Sequence, residues 1–216
     1  MSRGLVCALF ALFTLANLAE TARQVEDALA AGTARPWLVA GYWMLKTGVV
    51  AVFFSAVMRR PKSLRPSREP IAFVACALAI LGAVSLREPG PDASTAWLVA
   101  GEALALASCG FLLASVLALG TCFGVLPEVR GLVMRGPYKL VRHPVYLGEL
   151  GACLGLVLGA PTAWNLSAAG VLLAAQLVRM RLEERALELE FSEYAAYAAH
   201  TPRLIPMPAR LRPLEV

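Results

Sequence analysis

The groups able to do chemistry in this 216-residue chain gather in two short stretches. Residues 130–148 read RGLVMRGPYKLVRHPVYLG, and residues 179–190 read RMRLEERALELE. Adjacent carboxylates at Glu183 and Glu184 can accept charge-assisted hydrogen bonds from a ligand's hydroxyl or ammonium groups. Tyr138, His143 and Tyr146 offer flat faces to a heterocycle or a cation. Arg179 has the planar fork that grips a carboxylate bidentately. Glu149, just past the first stretch, is a candidate base for an acceptor that must lose a proton. Each stretch also has a plainer reading. The first could be an interfacial loop with snorkelling basic residues and an aromatic belt. The second could be a solvated helix start laced by pairs such as Arg179–Glu183. With only two histidines and no H-E-x-x-H pattern, no metal site is expected. Five cysteines (Cys7, Cys76, Cys109, Cys122, Cys153) lie singly in apolar stretches with no C-x-x-C pair, and read as small buried hydrophobes.

What positions these stretches is set by composition. Hydrophobic residues make up 58% of the chain and charged residues 16%, against roughly 25% charged in an average soluble domain. Mean hydropathy is +0.64. These values exclude a disordered chain, a basic nucleic-acid-binding domain and most soluble folds, and they point to a multi-pass membrane protein. The formal charge of +5 then reflects topology, with no nucleic-acid partner expected. The length predicts one domain, residues 1–216.

A spanning helix needs about 20 mostly apolar residues. Candidates run over 4–19, 37–58 (interrupted by Lys46), 71–86 and 103–126. The first could instead be a signal peptide, but its A-x-A site at 28–30 lies well past the apolar run, beyond Glu20, Glu26 and Asp27. Between Arg142 and Arg179 lies an apolar stretch whose only charge is Glu149. As one helix it would be ~54 Å long at 1.5 Å per residue, against a hydrocarbon core of ~30 Å. Pro161 falls at its middle and cannot continue a helix without cost, so a helical hairpin is expected. Small residues every four positions, Gly151, Gly155 and Gly159, suit close helix packing there. Loop cations agree: the 59–68 loop, the 130–142 loop, the tail from Arg179 and Arg3 together hold 16 of the 20. Six spans with both ends cytoplasmic place all of them inside. The expected fold is therefore all-α: a bundle of about six membrane helices, four over residues 1–126. A loop, the hairpin and a polar amphipathic helix over 179–200 then complete residues 127–206. The hairpin brings both chemical stretches to the cytoplasmic face.

R-H-P-x-Y-x-G over 142–148, followed by Arg179 and Glu183-Glu184, resembles the isoprenylcysteine carboxyl methyltransferase and phospholipid methyltransferase superfamily. Gly136-Pro137-Tyr138, the aromatics Phe191, Tyr194 and Tyr197, and TPRLIP at 201–206 add to the likeness, which covers residues 130–206. It implies an integral membrane enzyme that uses S-adenosylmethionine, held at the cytoplasmic face under the C-terminal segment. By motif position it implies cofactor contacts at Tyr138, His143, Pro144, Val145, Tyr146 and Glu183, with Glu184 beside them. It implies another in the 130–133 stretch, at Arg130, Leu132 and Val133. It makes Arg179 the group that faces the methyl acceptor. Ser192 and Arg130 depart from the usual family residues at their positions.

The function expected is methyl transfer to a lipophilic or small acceptor, led by carboxyl O-methylation of an isoprenylcysteine-like substrate. Amino-phospholipid N-methylation and small-thiol S-methylation are the alternatives within the class. Outside it stand a small transporter, with Lys46 and Glu102 marking a pathway, and a silent scaffold. Against a transporter, the polar groups gather at one face and no inverted repeat is visible.

Overall fold

The computed structural model describes residues 3–59, 63–64, 69–87, 93–124 and 126–206. Parts of the stretches above lie outside the described residues: the side chains of Arg3 and Cys7, and the loop and tail cations Arg60, Lys62, Arg65, Arg68, Arg210 and Arg212. The described residues form seven helices and no strands. They are α1 (Arg3–Ala31), α2 (Ala34–Arg59), α3 (Pro70–Val84), α4 (Thr95–Leu119), α5 (Pro144–Gly159), α6 (Ala163–Glu190) and α7 (Tyr194–His200). Single 3₁₀ turns follow α4 at Gly120–Cys122 and precede α5 at Gly136–Lys139.

α2 over Ala34–Ala56 and α4 with its following turn, Thr95–Cys122, are long and apolar enough to cross a membrane. α3 and α5 are apolar but shorter. Large apolar side chains stand outward on most of these helices, among them Leu15, Met44, Ile80, Leu117 and Leu154. An outward apolar surface is costly in water and natural in lipid.

Four helix pairs build the bundle: α4 on α5, α1 on α2, α3 on α6, and α2 on α4. The α4–α5 seam is the tightest, and glycine makes it so. A Cβ on Gly155 would lie 2.5 Å from the Gly101 carbonyl oxygen, and one on Gly148 would lie 2.7 Å from the Leu112 Cβ. Backbones can approach that closely only without side chains between them.

The break of the hairpin falls where Pro161 places it, between Gly159 and Ala163. Thr162 caps α6, its hydroxyl accepting from the Asn165 N–H at 3.1 Å. Asn165 is fully buried. Its amide donates to the Ala160 and Arg87 carbonyls at 2.9 and 3.0 Å and accepts from the Arg87 N–H at 2.9 Å. The hairpin tip is thereby tied to the end of α3.

Three elements differ from expectation. α1 runs on to Ala31, through Glu20, Glu26 and Asp27, because its polar turn is supported on the helix itself: Arg23 and Gln24 both bond Glu20. α4 starts at Thr95 rather than 103, because Glu102 does not end the helix; Arg35 of α2 lies 3.8 Å from it. The segment 179–200 is not one amphipathic helix. Its first part prolongs α6 without interruption to Glu190, and a turn over 191–193 precedes α7. That turn carries Tyr194 into the interior, where it is 1% exposed.

Candidate active site

Three elements meet at the end of the bundle where α5 begins and α6 emerges: the turn before α5, the polar end of α6, and the strap after α7. Backbone bonds fasten the strap. Arg142 N–H donates to the Pro202 carbonyl at 2.8 Å and His143 N–H to that of Arg203 at 3.2 Å. The Tyr197 hydroxyl, from α7, donates to the Tyr138 carbonyl at 2.6 Å. Pro144 opens α5 as its first residue, the position where a missing N–H costs nothing. His143 is thus fixed at the helix entrance, with its side chain turned to α6.

There it meets both glutamates. His143 Nε2 lies 3.0 Å from Glu184 Oε1, and Nδ1 lies 3.7 Å from Glu183 Oε2. The Tyr146 hydroxyl donates to Glu183. The His143 and Tyr146 rings sit 5.5 Å apart at an interplanar angle of 31°. On its other side Glu184 receives both Arg203 Nε, at 2.9 Å, and Arg203 Nη2. Arg142 Nη2 stands 3.5 Å away. Burial alone raises the Glu184 pKa, but hydrogen bonds from His143 and Arg203 and the charges of His143 and Arg142 outweigh it and hold the carboxylate at about 2. Burial pushes the Tyr197 phenol up to about 12 and that of Tyr138 higher still, so both stay neutral donors at any physiological pH. A polar cavity of about 180 Å³ opens on the outer side of Glu184, lined by Arg181, Arg185, Glu188 and Arg203.

One turn deeper, a second polar tier continues from the first. The Arg179 guanidinium lies over the Tyr146 ring, 4.9 Å from its centroid. Its Nη1 donates to Gln176 Oε1 at 2.9 Å. The other end of the same amide donates to Glu149. A row of five side chains therefore links Glu183, Tyr146, Arg179, Gln176 and Glu149 between α5 and α6.

His143, Pro144, Tyr146, Glu183 and Glu184 come together, the Tyr138 carbonyl is tied to Tyr197 beside them, and Arg179 and Glu149 join the same row. Others stand apart. Val145 packs toward Val49, Leu112 and Val116, on the face of α5 away from the glutamates. Arg130 pairs with Glu128 of its own loop, and Leu132 and Val133 are half-buried in that loop. Three members of the site went unassigned in the sequence: Arg203, Arg142 and Gln176. The arginines were visible as motif letters, without the strap geometry that aims them at Glu184. Gln176 was visible as a lone amide in an apolar run, three residues before Arg179.

Comparison with known proteins finds a family likeness in the segment that holds the site. The phospholipid methyltransferase family model matches residues 93–193, which takes in α4, the turn before α5, the whole hairpin and both glutamates. Over that segment, just under half of its length, the chain carries the pattern of the isoprenylcysteine and phospholipid methyltransferase superfamily. It also resembles the cobalt-zinc-cadmium resistance protein CzcN of Cupriavidus metallidurans, 42% identical over 78 residues. That match spans 35% of this chain and 35% of that relative.

Among the described residues, the site also holds buried polar groups that a bound ligand could satisfy. Buried Arg142 Nε and Tyr194 Oη, both beside Glu184, have no hydrogen-bond partner. A buried donor left without a partner is costly, and such groups are natural receivers for a ligand's carboxylate or hydroxyls.

Proposed function

We propose that this protein is an integral membrane methyltransferase that takes its methyl group from S-adenosylmethionine and delivers it to a lipophilic acceptor held in the bilayer. The convergence of His143 and Tyr146 with Glu183 and Glu184 carries this reading. Two carboxylates and two aromatic faces meet there, inside the segment matched by the methyltransferase family, and the strap after α7 lies beside them.

In this reading both termini are cytoplasmic, six helices enter the membrane, and the cofactor site lies at the cytoplasmic face. The division of loop cations supports that topology. Bound there, S-adenosylmethionine supplies an electrophilic methyl on its sulfonium. Glu183 and Glu184 hold ammonium or ribose hydroxyls through charge-assisted hydrogen bonds. His143 and Tyr146 give flat, electron-rich faces, and the Arg142 guanidinium answers a carboxylate. The strap from Thr201 shields the site from water. Methyl transfer is a single in-line displacement, so orientation does most of the work.

Arg179 stands one turn deeper, where an acceptor entering from the lipid would arrive. A carboxylate gripped by its fork needs no base, which favours carboxyl O-methylation of an isoprenylcysteine-like or other lipophilic acid. Glu149 sustains a second reading: a carboxylate in the same row can relieve an amine of its proton, as N-methylation requires. The test is incubation of the purified protein with lipid extracts and isotopically labelled S-adenosylmethionine, followed by mass spectrometry. Label in an ester of a lipophilic acid is the expected outcome. Label in an amine headgroup selects the second reading, and no label in any lipid contradicts both.

A further inference from the structure

The amide of Gln176 occupies a position that no functional reading has used. It is 1% exposed, it lies between an arginine and a carboxylate on facing helices, and its two ends are spent on different partners. Oε1 accepts from Arg179 at 2.9 Å, and Nε2 donates to Glu149. The polarity of that amide is set by its neighbours: only its carbonyl can face a guanidinium, and only its N–H can face a carboxylate. The Arg179 guanidinium is hydrogen-bonded to Gln176, lies over the Tyr146 ring, and also bonds Cys76 of α3.

We infer that Gln176 is a positioning residue for the acceptor side of the site: its amide keeps Glu149 off Arg179 and aims the guanidinium at the acceptor's head group. A glutamate at 176 would meet Arg179 as a full ion pair and neutralise it. An apolar residue there would remove one of the contacts that orient Arg179 and leave Glu149 without its donor. The amide satisfies both neighbours while adding no charge of its own beside Arg179. This rests on the reading of Arg179 as the acceptor-holding group, and it does not require that the cofactor be identified.

The swap Glu149→Gln with Gln176→Glu separates aiming from simple hydrogen-bond filling. It keeps the composition, the charge and a carboxylate–amide bond between α5 and α6, but it moves the carboxylate against Arg179. Binding of dodecanoate and of dodecylamine would be measured on the full-length protein in lipid nanodiscs, alongside binding of S-adenosylhomocysteine. The wild type is expected to prefer dodecanoate. The swap is expected to lose about tenfold or more in dodecanoate affinity, the scale of one charge-assisted hydrogen bond, with S-adenosylhomocysteine affinity unchanged. Gln176→Met, which fills similar volume and makes neither bond, is expected to lose a similar factor and serves if the swap does not fold. Dodecanoate affinity within about twofold of wild type in the variants, or a wild type with no preference for dodecanoate, would overturn the inference. If the dodecanoate difference holds and S-adenosylhomocysteine does not bind, the methyltransferase reading fails and the positioning role stands.

Discussion

Glu184 is the most heavily committed side chain in the protein, bonded by His143 and Arg203 with Arg142 close by. Its folded-state pKa of about 2 lies below the ordinary value of 4.5. A depressed carboxylate contributes stability that is fully present above its unfolded pKa and is lost as pH falls through the folded one. The protein should therefore lose about 2–4 kcal/mol from this group between pH 4.5 and 2. Thermal melts of wild type and Glu184→Gln across that window check it: the wild type should fall more steeply, and parallel curves would contradict the assignment. Arg179 yields a second prediction. Arg179→Lys keeps the charge but loses the planar fork, so turnover of a carboxylate acceptor should fall by about tenfold or more while cofactor affinity holds. Unchanged turnover would reduce Arg179 to a helix-surface pair. At this scale the sequence was most legible where chemistry is local. The motif residues His143, Tyr146, Glu183 and Glu184 could be named from their spacing. Val145 could not be excluded, because only the observed rotation of α5 shows it facing the α2–α4 core. Gln176, Arg142 and Arg203 needed contacts across 19 to 42 residues of sequence, which no local pattern encodes.

The helices are positioned by a few specific contacts rather than by bulk hydrophobicity alone. Gly101 and Gly155 set the α4–α5 distance, which in turn sets where His143 stands at the head of α5. Gly155→Leu should force the backbones apart and cost about 1–3 kcal/mol, as overpacking does in other cores. Denaturation in mild detergent would register it as a lower midpoint with the cofactor site weakened in parallel, whereas wild-type stability would show that the seam is not the spacer. The hairpin was readable because a length argument and one proline agree: the apolar run is too long for one span, and Pro161 marks the bend. Helix ends were less readable. Glu102 looked like a boundary because its partner Arg35 belongs to another helix. The division of residues 179–200 was also hidden. A stripe of Leu187, Phe191, Tyr194 and Ala198 fits a single helix, but burying the Tyr194 ring requires the chain to turn first.

In the proposed arrangement the molecule is a membrane enzyme with both ends and its polar cluster on the cytoplasmic side. That arrangement makes a topological prediction: in a cysteine-free background, a cysteine placed at Thr162 should react with an impermeant reagent from outside the cell. Labelling only from the cytoplasm would invert the hairpin and remove the reason for placing the cluster inside. Composition made the membrane class legible at once, since lipid-facing helices need no polar face. The order of helix pairing was not legible, because apolar helices carry little information about which neighbour they prefer. The most direct test of the central claim is calorimetric titration of S-adenosylhomocysteine into purified wild type, His143→Ala and Glu183→Ala. Binding to the wild type, weakened roughly 10- to 150-fold in each variant for the loss of about 1.5–3 kcal/mol with folding intact, is the predicted result. Equal affinity in all three proteins would contradict the placement of the cofactor between α5 and α6.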